Sequence, residues 1–149
     1  MAAKQAKQAK QARQTKHHIQ PCSDEKLQLI TYEDAEEVSI DGISDGREAR
    51  CKVLRVYDGD TIHIGVMTVK GMSRVRCRLV DYDAHEPGRP LADNERDQVR
   101  RLIDQKVVTV TFHGEGAYWR PQIDVLLPRN QKLSQWMLDH STVKPEKRK

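Results

Sequence analysis

From Ala49 onward the chain falls into blocks of alternating apolar and polar positions, each closed by turn-forming residues. "ARCKVLRVY" (49–57) reads as a strand ended by the turn "DGD", and "TIHIGVMTV" (61–69) as a second strand. After "KGMS", the stretch "RVRCRLVDYD" (74–83) reads as a third. Successive strand side chains point to opposite faces, so Val75, Cys77 and Leu79 share one side and Arg74, Arg76 and Arg78 the other. Two prolines and a glycine in "HEPGRPL" break the pattern. "DNERDQVRRLIDQ" (93–105) changes to helical spacing, with Val99, Leu102 and Ile103 apolar and Asp93 placed to cap the start. "KVVTVTF" (106–112) and "WRPQIDVLL" (119–127) are strands either side of the turn "HGEGAY", and "RNQKLSQWMLDH" (129–140) is a final helix.

Three strands, a helix, two strands and a helix predict a mainly β protein with helices. The plan is a five-stranded OB-fold barrel, with a helix between strands three and four and a C-terminal helix. Closure suits a chain of 149 residues with 5% aromatics, because it removes sheet edges without needing a large core.

Residues 1–48 differ in kind. "AAKQAKQAKQARQTK" repeats every three residues, gives no apolar stripe on a helix, and carries Lys4, Lys7, Lys10, Arg13 and Lys16 without an acid. Residues 24–48 then hold nine acids against Lys26 and Arg47. The expected organisation is a largely disordered basic tail and acidic linker over 1–48, a compact domain over 49–143 and a basic tail over 144–149. The acidic stretch has two further placements open to it, along the domain surface or folded back on a basic patch. Basic tails point to an anionic polymer as partner. Three cysteines with no CxxC pair argue against a disulfide framework or zinc site and fit a reducing compartment. No apolar run approaches a membrane span and no secretory h-region is visible, so the expectation is no membrane partner and an intracellular setting by default. A monomer is the default.

The chemistry lies in two stretches. In "VYDGDTI" (56–62), Asp58 and Asp60 flank Gly59, a pattern that alone describes an ordinary hairpin turn. In "CRLVDYDAHEP" (77–87), Arg78 lies within a strand whose exit carries Asp83 and Glu86. If the two stretches meet at one end of a small barrel, Asp60 and Asp83 converge, and two converging carboxylates call for a cation. Oxygen donors favour calcium or magnesium over zinc. A nearby arginine suits a phosphate, whose oxygens match the guanidinium fork.

"VYDGDT", "CRLVDYDAHEP" and "YWRPQIDVLL" in that order, across roughly residues 50–140, resemble the staphylococcal-nuclease-like (thermonuclease) family. The resemblance implies a Ca2+-dependent enzyme that cleaves phosphodiesters of DNA and RNA and leaves 3′-phosphate ends. It implies Asp60, Asp83 and the backbone carbonyl of Ala84 as metal ligands, with Thr61 supporting them. Glu86 would orient or deprotonate the attacking water, Arg78 and Arg120 would clamp the scissile phosphate, and Tyr118 would sit beside a neighbouring phosphate. Apart from the resemblance, Arg74 and Arg76, further back on the same strand face, have two roles open to them, extending the substrate path along the nucleic-acid backbone or pairing with acids such as Asp81. His85 stands where the family usually has proline, which predicts a less rigid turn before Glu86. A non-catalytic OB-fold module, binding nucleic acid through Lys70, Arg74, Arg76 and the tails, is the alternative. The presence of Asp60, Arg78, Asp83, Glu86 and Arg120 together favours the enzyme.

Overall fold

The computed structural model describes residues 18–40, 46–85, 88, 89, 91–115 and 120–140. Among them the chain forms α1 (Asp24–Gln28), β1 (Glu36–Glu37), β2 (Glu48–Val56), β3 (Thr61–Thr68), β4 (Gly71–Leu79), α2 (Ala92–Ile103), β5 (Val107–Glu115), β6 (Pro121–Leu127), β7 (Gln131–Lys132) and α3 (Leu133–His140). The sheet order is β1-β4-β3-β2-β5-β6-β7, and a further pairing of β4 with β6 closes β2–β6 into a five-stranded barrel. That closing pair runs parallel, Arg78 against Gln122 and Leu79 against Ile123, while β2 to β6 are otherwise antiparallel. The fold is the barrel with helices that the element order predicts.

Alternation sorts the side chains as expected. Val75, Cys77 and Leu79 of β4 are buried with Ile62, Ile64 and Val66 of β3 in one core, which Val99 and Ile103 of α2 and Leu133 and Met137 of α3 cover. Cys51 and Cys77 are buried free thiols, and burial pushes the Cys51 thiol up to about 12, so both serve as small apolar side chains. Pro121 takes the first position of β6, where its missing N–H breaks no interior ladder bond. No helix among the described residues is long and apolar enough to cross a membrane.

Three boundaries differ from the sequence reading. The third strand stops at Leu79 rather than running to Asp83, because the chain turns at Asp81, whose φ of 57° lies in the left-handed region. Helix α2 begins at Ala92 with Leu91 at its cap and no side-chain cap bond; Asp93 lies inside the first turn, 3.3 Å from Arg96. The last helix begins at Leu133 rather than Arg129, since Arg129 and Asn130 have φ of 67° and 59° and cannot continue a helix. Asp124 of β6 starts it instead, accepting Ser134 N–H at 3.0 Å.

Residues 18–40 lie along the barrel, one of the placements the acidic segment had open. Leu27, Ile30 and Ala35 are buried in a second cluster with Leu54 of β2. Strand β1 pairs parallel with β4, Glu36 opposite Ser73. Basic residues of the barrel hold the segment: Lys52 Nζ donates to the carbonyls of Gln28 (2.7 Å) and Ile30 (2.8 Å), Arg50 pairs with Asp24, and Lys70 with Glu36.

Candidate active site

The site is built where the β2–β3 turn meets the exit of β4. Asp58 Oδ1 accepts the N–H groups of Asp60 (3.0 Å) and Thr61 (2.7 Å), which folds "DGD" back on itself. Gly59 is needed there for space. A Cβ on it would lie 2.9 Å from Ala84 Cβ and 3.0 Å from Glu95 Cβ, so the turn packs directly against the acidic loop and α2. Backbone bonds tie the two stretches: Leu79 N–H donates to the Asp60 carbonyl at 2.7 Å, and Ala84 N–H to Asp60 Oδ2 at 3.1 Å.

Asp60 and Asp83 converge on Arg78. Its Nη2 lies 3.3 Å from Asp60 Oδ2 and donates to Asp83 Oδ1. Thr61, opposite Arg78 in the β3–β4 ladder, places its Oγ1 3.4 Å from Asp60 Oδ1. Asp60 is 5% exposed. Burial, with Asp58 beside it, pushes its carboxyl up to about 7, although the Ala84 N–H and Arg78 pull the other way. Arg120 enters from the start of β6. Burial lowers its pKa, as do the positive charges of Arg76 and Arg78, while Asp60 and Asp58 oppose that shift, so it lies within electrostatic reach of these groups.

Hard oxygen donors suit a calcium-class cation, and Asp58 adds to burial in disfavouring a charged Asp60 where Arg78 is the opposing cation. Among the described residues no group of three His, Cys, Asp or Glu side chains is arranged as a metal cage. The oxygen donors that come together here are the carboxylates of Asp60 and Asp83, both paired with Arg78. Glu86 and Tyr118 lie outside the described residues.

Two of the arginines assigned to substrate diverge. Arg76 is exposed, its guanidinium 5.8 Å from the Tyr57 ring centroid. Arg74 is committed to the N-terminal segment: Nη1 donates to the carbonyls of Tyr32 (2.9 Å) and Ala35, and its guanidinium lies 4.5 Å from the Tyr32 ring centroid. Those bonds engage Nη1 and tie the side chain to residues 32–35.

The sequence reading missed Glu95. On α2 it shares the buried face with Ala92, Val99 and Ile103 and is 0% exposed. Its carboxyl receives the Tyr82 hydroxyl and the His85 N–H (2.8 Å), with His85 Nδ1 at 2.9 Å. The loop 82–85 is thus fixed from the helix, through an N–H that a proline at position 85 would lack. The turn at Glu86 itself lies outside the described residues; the chain leading to it is held at Tyr82 and His85. An acid at helical spacing on the stripe that ends in Val99 and Ile103 was the available signal.

No family model matches the chain. It is similar to proteins named "Uncharacterized endonuclease". Two of these, from Escherichia coli O157:H7 and Escherichia coli, are 33% identical over 87 residues, 58% of this chain and 54% of each relative. A third, from Haemophilus influenzae, is 29% identical over 70 residues, 47% of this chain and 38% of that protein. The chain spans about half the length of the curated relatives it matches.

Proposed function

We propose that this chain is a nuclease, hydrolysing phosphodiester bonds of DNA or RNA with little sequence preference. In this reading it is calcium-dependent, leaves 3′-phosphate ends and works as the staphylococcal-nuclease-like family does. The observation that carries the proposal is Arg78 held between the carboxylates of Asp60 and Asp83, with Arg120 within electrostatic reach of Arg78 and Asp60. The relatives named endonucleases support the hydrolase part of it.

Hydrolysis brings an anionic nucleophile to an anionic phosphate, and the charge that builds on the phosphate oxygens must be met where it forms. Asp60, Asp83 and the Ala84 carbonyl are the groups that would hold Ca2+, with Thr61 steadying Asp60. When bound, the ion supplies positive charge beside the phosphate. Arg78, between the two acids, would offer its fork to the phosphate oxygens. Arg120 takes the other side of the phosphate. Glu86 orients or deprotonates the water, and Glu95 keeps the loop before it in place. Tyr118 lies by a neighbouring phosphate. Phosphate contacts carry no sequence information, which accounts for weak base preference. Every group named belongs to one chain, so a monomer suffices.

Plasmid, single-stranded DNA and RNA incubated with calcium or with chelator test the reading. Degradation should require calcium and be lost in Glu86→Gln and Arg78→Ala, and product 3′ ends should accept terminal-transferase extension only after phosphatase treatment. Binding without cleavage in every divalent metal would overturn the proposal.

A further inference from the structure

The outer face of the barrel is divided in two. In the β2–β3–β4 ladder, Lys52 opposes Gly65 and Gly65 opposes Arg74; this row lies under the N-terminal segment. The next row, Arg55–His63–Arg76, runs across the same strands toward Arg78. Tyr32 marks the border, its ring 5.3 Å from the Arg55 guanidinium and 5.5 Å from the His63 ring. Arg55 and Arg76 are exposed, and among the described residues their contacts are with tyrosine rings rather than carboxylates. Burial lowers the His63 pKa, as do the charges of Arg76, Arg55 and Arg74, so the two exposed arginines supply the charge of this row.

Beside that row, between the end of β2 and α2, opens a cavity of about 230 Å³ lined by Arg55, Tyr57, Asp58, Asp93, Arg96 and Arg100. Tyr57 is 47% exposed, with the Arg76 guanidinium 5.8 Å from its ring centroid. Asp58 has one carboxylate oxygen engaged by two backbone N–H groups, and Asp93 is paired with Arg96, so Arg55 is the lining charge without a carboxylate partner. Tyr57 also stands three residues from Asp60. Arg76 precedes Arg78 by two residues on β4, so the row lies on a path that a strand with its scissile phosphate at Arg78 would follow beyond the scissile pair. A positive track with an aromatic platform is how single strands are held.

We infer that Arg55, Arg76 and Tyr57, with the adjoining cavity, form a subsite for a nucleotide beyond the two joined by the scissile phosphate, Tyr57 stacking on its base and the arginines meeting its phosphate. The inference rests on the nuclease reading for where the scissile phosphate lies.

The full chain is tested with a labelled twelve-nucleotide single strand in chelator, by anisotropy at several salt concentrations. Cleavage of that strand and of a dinucleotide is followed in calcium. Tyr57→Ala should weaken binding of the long strand by at least about fivefold. Arg55→Gln should reduce the salt slope by about one phosphate contact. Both variants should lower kcat/KM on the long strand and leave dinucleotide cleavage unchanged, with melting temperatures matching the parent. If both variants bind the long strand like the parent, the subsite is wrong, whether or not the parent cleaves. If the parent binds in this variant-sensitive way but cleaves nothing, the subsite stands and the nuclease reading fails. If only the arginine substitution matters, the base does not enter the cavity and the inference is overturned.

Discussion

Arg78 and Asp83, five residues apart, are bonded across the turn that ends β4, and the same guanidinium nitrogen lies 3.3 Å from Asp60. The three side chains are only 13%, 18% and 7% exposed. Arg78→Ala therefore leaves two shielded carboxylates facing each other. It should cost about 1–3 kcal/mol, less than the 3–5 typical of breaking a fully buried pair. Activity should fall about 10²–10³-fold, as for other lost charge-stabilising donors. Arg78→Lys keeps the charge without the fork, so it should recover much of the stability and little of the rate. Urea denaturation beside oligonucleotide turnover separates the two effects.

The carboxyl of Asp60 is pushed up to about 7 from an ordinary value near 3.8. Between those values the folded state binds more protons than the unfolded one. This contribution to stability is therefore full at acid pH and is lost as pH rises through 7. Asp60→Asn imitates the protonated acid. It should be more stable than the parent at pH 8, by on the order of 2 kcal/mol, and the difference should vanish near pH 4. Calcium should stabilise the parent at pH 8 by mass action and leave Asp60→Asn nearly unmoved. Thermal melts at both pH values, with calcium and with chelator, read all four quantities.

The barrel was legible because β-strand alternation is local: Val75, Cys77 and Leu79 could face only one way once Arg74, Arg76 and Arg78 faced the other. Asp60, Asp83 and Arg78 could be brought together on paper from their places at strand ends. What local pattern could not supply is the partner of each charge. Arg74 and Arg78 look alike in the sequence, yet four strand residues, about 13 Å, separate them. One meets carboxylates and the other meets carbonyls of a segment nearly forty residues away in the chain. The turn Gly59 illustrates the same limit. Asp-Gly suggests a hairpin conformation, whereas its reason is the approach of Ala84 and Glu95 from distant positions.

Glu95 offers a test of loop positioning. Removing its carboxyl strands the Tyr82 hydroxyl and the His85 N–H in a buried place, so Glu95→Ala should destabilise by about 2–4 kcal/mol. Glu95→Gln keeps an acceptor of the same shape, and its folding loss should be about 1 kcal/mol. Because the loop it holds leads to Glu86, Glu95→Gln should still lower kcat more than KM rises. Equal kcat for the glutamine variant and the parent would show that the helix does not position the loop.

The acidic segment makes the last prediction. Ile30 is 0% exposed, and its Cγ2 lies 3.0 Å from the point where a Cβ on Gly65 would stand, with Leu54 Cδ1 and Cδ2 at 3.1 Å. If residues 18–40 are part of the folded unit in solution, Ile30→Ala removes a core side chain and should cost about 2–4 kcal/mol. A surface substitution on an undocked tail would change stability by less than about 0.5 kcal/mol. Gly65→Ala should also destabilise, by forcing a methyl against Ile30 and Leu54. Residues in contact do not add, so Gly65→Ala should cost less in the Ile30→Ala background, where one neighbour has gone. Additive costs in a urea-denaturation cycle would mean that Ile30 does not rest on β3. A negative coupling would fix the segment on the barrel and with it the carbonyls of Tyr32 and Ala35 that Arg74 Nη1 meets.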